Sequence, residues 1–313
     1  MTMLSRTASN LYWIGRYMER AEFTTRLIEA TIRLGSLSAH AESEQAWKSA
    51  LAVVGAAGLS EGAGESFSAF TARRYLALSE GNTSSIRSCL FIARENARAA
   101  RNVLTREVWE AINRAWLTIR DRTSPGGTQS TLNLVEDLKS VTRGFEGAIA
   151  RMLRTEAYWF MRLGSMVERG DNTARLLDVK YYLLLPRGQQ VGGALDRDQW
   201  QTLLQIVSGQ TAYRLIYRQA LKPWLVADLL VYRPELPRSL RAAADETVTL
   251  LSEFGSRSGR QGPADRLARR RLSRLEAGTV DDLMAVGLHE TLQDYIDENA
   301  TLDRAIAQQF RFP

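Results

Sequence analysis

Two separated segments of the chain, residues 4–34 and 155–185, carry the same pattern of acids and arginines inside an apolar helical repeat. Both read G-x-x-x-E-R-x-[E/D]-x-T-x-R-L at one constant offset. An α-helix has about 3.6 residues per turn, so these charged positions fall along one stripe of each helix. The matched positions are Gly15/Gly164, Glu19/Glu168, Arg20/Arg169, Glu22/Asp171, Thr24/Thr173, Arg26/Arg175 and Leu27/Leu176.

The chemistry of this stripe suits a molecule that carries both an amine and a carboxylate. A carboxylate can hold an ammonium group or accept a proton, and a guanidinium holds a carboxylate through two parallel hydrogen bonds. Tyr12 and Phe23 lie on the charged stripe of the first segment, which is unusual for a face given wholly to water. The candidate catalytic residues are Glu19, Arg20, Glu168 and Arg169, and the candidate substrate-binding residues are Arg16, Glu22, Arg26, Arg94, Asp171 and Arg175.

A purely architectural role for the same charges remains an alternative. If the two segments pack about an approximate two-fold axis, reciprocal pairs such as Glu19 with Arg169 and Glu168 with Arg20 become possible. Such pairs could satisfy one another and fix the register of a helical bundle. However, removing an ion from water costs several kcal/mol, so buried ion pairs are poor stabilisers. Retaining many of them favours a functional role.

Four segments in chain order closely resemble the bacterial Alpha-E proteins, an all-helical family with a Glu-Arg motif. They are LSRTASNLYWIGRYMERAEFTTRL, SIRSCLFIARENARAARNVLTREVWEAIN, MVERGDNTARL and LLVYRPELPRSL. The resemblance covers nearly the whole chain and implies a single Alpha-E domain over residues 1–313. Genes of this family typically neighbour a circularly permuted ATP-grasp protein and often a transglutaminase-like protein, which implies these as partners in making or modifying peptides through amide bonds.

The resemblance and the charged stripe together define the functional expectation. The chain would bind or process an amino acid or peptide in a charged cavity between the two Glu-Arg helices, as a component of an ATP-grasp-dependent ligation system. The alternative is a noncatalytic scaffold for the ligase. Arg94, Arg98 and Arg101, spaced i, i+4, i+7, form a further row that could hold an anion, although a solvated face would explain it equally well.

Composition restricts the remaining chemistry. The chain has 313 residues, a net charge of +6 and a single cysteine, Cys89, so no disulfide can form within it and core packing is expected for the thiol. Only His40 and His289 are available, which argues strongly against a zinc site or a Ser-His-Asp triad. Any metal would be a hard ion on carboxylates, such as Mg²⁺ brought by a nucleotide. No P-loop or dinucleotide fingerprint is present, and no resident cofactor or metal is expected.

The most basic segment, residues 257–274, raises the alternative of nucleic-acid binding. It lacks interleaved aromatic residues for base stacking, so a solvated helix face or a contact for an acidic protein is favoured and nucleic acid is not expected as a partner. The N-terminus shows no signal-peptide pattern, and no apolar run is long enough to span a membrane. We therefore expect a cytoplasmic location and no membrane partner.

Helical periodicity dominates the chain, and no stretch alternates convincingly at period two. The pattern predicts an all-α multi-helix bundle with an internal pseudo-two-fold repeat of the Glu-Arg helix, whose halves are roughly 1–130 and 131–313. Loops are expected at 55–64, 122–130, 186–193 and 255–263, and Arg233 and Arg238 in the Pro-bounded connector 232–239 could line a pocket or simply form a turn. Helices are predicted at 5–35, 43–54, 66–78, 84–121 with a break near Thr105, 131–153, 156–185, from 198, 209–221, 223–231, 239–253 and 279–310.

Overall fold

The computed structural model describes residues 3–36, 40–56, 58, 67–183, 194–259 and 261–313. Over these residues the chain forms fourteen α-helices and no β-strand, which confirms the all-α prediction. The helices are α1 Ser5–Ser36, α2 His40–Val53, α3 Ala69–Leu78, α4 Ile86–Ala99, α5 Arg106–Ile119, α6 Thr128–Ala150, α7 Glu156–Leu183, α8 Ala194–Ile206, α9 Gln210–Tyr217, α10 Pro223–Tyr232, α11 Leu240–Ser258, α12 Pro263–Ala277, α13 Val280–Val286 and α14 Leu288–Gln309.

The two Glu-Arg segments form the long central helices α1 and α7, which pack directly against each other. α1 also contacts α2, α4, α6 and α8, while α7 contacts α11 and α14. Because neighbours surround α1, it buries apolar residues such as Leu11 and Met18 and charged residues such as Arg16 and Glu22 in the same helix. The charged stripe is therefore interior and does not face bulk water.

Two glycines allow the backbones of α1 and α7 to touch. An ideal Cβ added to Gly15 would lie 1.9 Å from the carbonyl oxygen of Met161, and one added to Gly164 would lie 2.0 Å from that of Tyr12. The two contacts are reciprocal and follow the same offset as the sequence repeat. They concern this helix pair, and the extension of the repeat to the halves 1–130 and 131–313 stays a prediction.

Several helix boundaries follow from local capping chemistry. Thr105 caps α5 by accepting a hydrogen bond from the Val108 amide at 3.3 Å, so the chain breaks where the sequence predicts. Ser239 caps α11 in the same way, accepting from the Ala242 amide at 3.0 Å. Ser239 follows directly after the prolines of the stiff connector, so the connector and the cap together set where α11 begins.

Several boundary predictions are wrong, and three of them concern turns that contain glycine. α6 begins at Thr128, inside the predicted loop 122–130, where the Thr131 hydroxyl donates to the Pro125 carbonyl at 3.0 Å and holds the turn against the helix. α11 continues through Gly255 and ends before Gly259, the glycine that adopts a left-handed φ of +68°. The predicted helix 279–310 is interrupted by Gly287 at φ +110°, which separates α13 from α14.

Other predictions on loops and basic segments have mixed outcomes. α12, Pro263–Ala277, gives the basic segment a regular helix that the predicted helix boundaries omitted. The predicted bend at 55–64 lies mostly, and the loop at 186–193 entirely, outside the described residues.

Cys89 is fully buried, and burial raises the pKa of its thiol to about 12, which confirms core packing and makes the reactive thiolate scarce.

The contact between α1 and α7 predicts a sharp difference between glycines. Gly15→Ala places a methyl group against the backbone of α7, so we expect the free energy of unfolding to fall by about 3 kcal/mol or more, as in overpacked cores. Gly144→Ala on α6 has open space at its Cβ and should stabilise by about 0.5–1 kcal/mol through helix propensity. Urea unfolding measures both, and equal stabilities for the two variants would contradict the close contact.

Candidate functional site

Each central glutamate at the interface of α1 and α7 is held by two arginines. Glu168 accepts hydrogen bonds from Arg20 Nε at 2.6 Å and from Arg16 Nε at 2.8 Å. Glu19 accepts from Arg169 Nε at 3.0 Å and Nη2 at 2.7 Å, and from Arg238 Nη1 at 2.6 Å. The hypothesised reciprocal pairs, Glu19 with Arg169 and Glu168 with Arg20, are thus confirmed.

A second set of acids and hydroxyls surrounds this centre. Asp303 of α14 accepts from Arg16 at 2.7 Å and from the Tyr12 hydroxyl at 2.5 Å. Glu146 of α6 accepts from Arg169 at 3.1 Å. Two further pairs within the central helices are Arg26 with Glu22 at 2.8 Å and Arg175 with Asp171 at 2.7 Å, both spaced i, i+4. Sequence reasoning missed Asp303 and Glu146, because their helices carry no Glu-Arg motif.

Arg238 reaches the cluster from the connector between α10 and α11. Its Nη1 and Nη2 donate to Glu19 and Glu22, each at 2.6 Å, and its backbone carbonyl accepts from the Thr173 hydroxyl at 2.9 Å. The sequence allows either a pocket rim or a simple turn for this connector. Arg238 instead bridges two acids of the ion network. Arg233 lies outside this network and pairs with Asp228 at a distance of 2.7 Å.

Electrostatics keep both central glutamates ionised. Burial by itself would raise the pKa of Glu19, but the charges and hydrogen bonds of Arg169 and Arg238 outweigh it and lower that pKa to about 2. The pKa of Glu168 is likewise lowered, because Arg20 and Arg16 outweigh its burial. A carboxylate with such a low pKa is a weak proton acceptor near neutrality. This favours an architectural role for Glu19 and Glu168.

Arg94 does not join the other nine candidate residues. Its Nε donates to Asn113 of α5 at 2.9 Å, its Nη1 pairs with Glu95 at 3.0 Å and its guanidinium lies over the Trp109 ring. Arg98 also pairs with Glu95, at 2.7 Å, so the arginine row is partly neutralised on its own helix. Arg94 and Arg98 lie on α4, but Arg101 is exposed in a short 3-10 turn after the helix ends, so the predicted row does not continue along one helical face.

A pocket of about 260 Å³ opens beside Glu168, between α1, α7 and the ends of α2 and the turn before α4. Thr24 is fully buried and Asn172 is 8% exposed, and the Thr24 hydroxyl and the Asn172 amide nitrogen have no hydrogen-bond partner among the described residues. Buried polar groups are nearly always hydrogen-bonded, so two unpaired groups in the lining of one pocket point to a bound molecule. The lining residues are Arg20, Phe23, Thr24, Val53, Val54, Gly55, Ser84, Glu168, Asp171, Asn172 and Arg175.

The carboxylates of Glu19, Glu22 and Glu146 lie close enough together to suggest a cation site, with ligand oxygens within 4.8 Å of one another. All three acids already accept hydrogen bonds from arginines, since Arg169 donates to Glu19 and Glu146 and Arg238 donates to Glu19 and Glu22. A metal ion would have to displace these guanidinium groups. The arrangement is therefore an ion-pair network in which arginines take the place of a cation.

The basic segment is partly turned inward. Arg271 is 3% exposed and donates to Asn299 at 2.7 Å, and Arg274 pairs with Glu298. These contacts reduce the charge that the segment offers to a nucleic acid. Across the described part of the chain, every helix is too short or too polar to cross a membrane.

Comparison with known protein families identifies a match over nearly the whole chain. The model of a family described as a predicted alpha-helical domain with a conserved ER motif matches residues 3–310. The Glu-Arg dipeptides of this chain, Glu19-Arg20 and Glu168-Arg169, are the residues that form the reciprocal pairs. No curated protein and no solved structure matches.

The depressed pKa of Glu19 predicts a pH-dependent contribution to stability. The folded-state pKa of about 2 lies below the ordinary value of 4.5, so this contribution is complete above about pH 4.5 and is lost as pH falls toward 2. Between these limits it amounts to about 3 kcal/mol. Urea unfolding should show a shallower decline on acidification for Glu19→Gln than for wild type. The exposed Glu253→Gln serves as control, and parallel curves for Glu19→Gln and wild type would contradict the prediction.

The bridge made by Arg238 predicts chemical rescue. Arg238→Ala leaves two buried carboxylates short of a partner, which should cost about 3–5 kcal/mol of stability. Millimolar ethylguanidinium should restore part of the lost melting temperature, because the ion can occupy the space of the missing side chain. Equimolar NaCl and the exposed variant Arg304→Ala are the controls. An identical response to NaCl and ethylguanidinium would show that the bridge is not specific.

Proposed function

The chain belongs to the Alpha-E family, and on that premise we propose that it binds an amino acid or peptide in the pocket beside Glu168. In this proposal it is the substrate-holding component of an ATP-grasp-dependent amide-ligation system. The observation that carries the proposal is the pocket itself, which combines charges of both signs with two buried polar groups that lack partners within the described protein.

The lining of the pocket has the donor and acceptor types that an amino acid requires. Arg175 is 40% exposed at its side chain and can turn one edge of its guanidinium to a carboxylate. Asp171, 18% exposed, can accept from an ammonium group, and Thr24 and Asn172 supply further hydrogen-bonding groups. The volume of about 260 Å³ is below the ~300–1,000 Å³ typical of drug-sized ligands, so it suits one residue or the end of a peptide.

The Glu-Arg cluster supports the pocket from one side. Arg20 donates to both oxygens of Glu168, at 2.6 and 3.0 Å, and to Ser84 at 3.3 Å, so this wall is held by three hydrogen bonds. In this proposal Glu19, Glu168 and Arg169 fix the wall, while Arg20, Asp171 and Arg175 face the substrate. The proposed role therefore moves from the central glutamates to the edge of the cluster.

The energy for amide formation would come from a partner. The sequence lacks the phosphate-binding motifs of nucleotide enzymes, and the resemblance to Alpha-E proteins implies a circularly permuted ATP-grasp partner and a transglutaminase-like protein. In such a ligation the partner would transfer the γ-phosphoryl group of ATP to a carboxylate and release ADP, and the amine would then attack the acyl carbon, lose a proton and displace inorganic phosphate. A helical partner that holds the amine or the carboxylate substrate would raise its effective concentration at the reacting carbon.

A noncatalytic scaffold is the second candidate, and one observation favours it. Glu19 and Glu168 are each satisfied by arginines of the same chain, so the motif that characterises the family needs no substrate to explain its charges. In that case the chain would stabilise or position the ligase, and the pocket would take no part in the reaction.

Reconstitution with an ATP-grasp partner separates the two candidates. The amide product formed from a panel of amino acids would be measured for Asp171→Asn and Arg175→Gln, together with melting temperature. Each variant removes one charge-assisted hydrogen bond, worth about 1.5–3 kcal/mol, so product formation at subsaturating substrate should fall by about 10–100-fold in folded protein. The exposed variants Asp245→Asn and Arg304→Gln should leave the rate unchanged. Full product formation in the folded pocket variants would establish the scaffold role.

A further inference from the structure

The two flanks of the α1 and α7 pair differ, and the difference indicates which class of amino-acid residue the pocket of the proposed function binds. The offset that relates Gly15 to Gly164 also relates Glu19 to Glu168, Glu22 to Asp171 and Thr173 to Thr24. The first member of each charged or hydroxyl pair contacts Arg238, and the second lines the 260 Å³ pocket. The pocket is thus the counterpart of the space that Arg238 fills.

Arg238 shows what the filled side recognises. Its guanidinium donates to Glu19 and Glu22 at 2.6 Å each, and its backbone carbonyl accepts from the Thr173 hydroxyl at 2.9 Å. The side chain is 12% exposed. This is therefore an enclosed site for one whole basic residue, which is bound through both its guanidinium and its backbone carbonyl.

On the pocket side the same groups have spare capacity. Glu22 receives two arginines, Arg26 and Arg238, whereas among the described residues its counterpart Asp171 receives only Arg175, which donates to Oδ2 at 2.7 Å. Within the described part of the chain, Oδ1 of Asp171 accepts no hydrogen bond. The Thr24 hydroxyl, whose counterpart Thr173 binds the Arg238 carbonyl, is buried and unpaired there as well.

Glu168 itself has no such capacity, which fixes where a cation would lie. Arg16 and Arg20 already donate to both of its oxygens. Arg16 is the second arginine of Glu168, as Arg238 is the second arginine of Glu19. A basic group in the pocket would therefore pair with Asp171. Ser165, which occupies the matched position to Arg16 on α7, carries no charge, so the filled side needs Arg238 for this purpose.

We propose, as an extension that rests on the proposed function, that the pocket binds a basic residue of a peptide, arginine or lysine. Its cation pairs with Asp171 and its backbone carbonyl accepts a hydrogen bond from the Thr24 hydroxyl. Arg238 occupies the counterpart space and shows the binding mode within the same chain. The Asn172 amide nitrogen provides a further donor for the neighbouring peptide carbonyl.

Calorimetric titration of the full chain with N-acetyl-L-arginine amide tests this directly. N-acetyl-L-citrulline amide has nearly the same shape without the charge, and we expect it to bind at least about tenfold more weakly. Asp171→Asn should remove this discrimination. Thr24→Val should weaken both ligands by a similar factor without lowering the melting temperature of the free protein, because the lost hydroxyl has no partner there. Asp245→Asn on the exposed face of α11 is the control that should bind like wild type.

Zwitterionic alanine and glycine are titrated alongside, so that failure of this inference and failure of the proposed function can be told apart. If these amino acids bind and Asp171→Asn abolishes their binding, while the arginine amide does not bind, the pocket remains the substrate site but the basic-residue assignment is overturned. If none of the probes binds, or if binding is indifferent to both pocket variants, the proposed function itself is overturned.

Discussion

The backbone contact between α1 and α7 is the constraint on which the rest of the structure depends. Gly15 and Gly164 each lie against a carbonyl oxygen of the opposite helix, at positions where any side chain would collide. At this separation Arg20 donates two hydrogen bonds across the interface to Glu168. Arg169 donates two to Glu19 in the same way. A wider spacing would exceed hydrogen-bond reach and leave buried charges unpaired, which is among the costliest defects a protein interior can contain.

The ion network explains how such a polar interface remains stable. Several kcal/mol are lost for each ion removed from water, and this is offset only when the geometry is good and the remaining lone pairs are also satisfied. Both conditions hold here, since each central glutamate has two arginines and three of these arginines have a further acid, Asp303 for Arg16, Glu146 for Arg169 and Glu22 for Arg238. The network thereby joins α1 and α7 to α6, α14 and the connector before α11, and it fixes the register of all of them.

Beyond the central ion pairs, the two sides of the α1 and α7 pair are not equivalent, and the difference lies at the pocket. The central pairs are matched on the two sides, but Arg238 fills one flank, and a pocket with unpaired polar groups lies at the other. A strictly symmetric cluster would be explained by architecture alone. In the proposed function the unequal flanks connect this helix pair to a ligand, because the Thr24 hydroxyl and the Asn172 amide nitrogen lack partners among the described residues on the flank where Arg238 has no counterpart.

Local sequence determined much of this protein. Period and capping residues predicted an all-α chain, the long helices α1 and α7 and the break at Thr105, and the repeated Glu-Arg pattern predicted the reciprocal pairs, because helical spacing alone places those residues on one stripe. Tertiary structure decided that Arg238 and Asp303 complete the cluster, that Arg94 stands apart, and that Thr24 and Asn172 border a pocket. These facts depend on which distant helices meet, and the pairing of distant segments leaves no periodic signal in a single sequence.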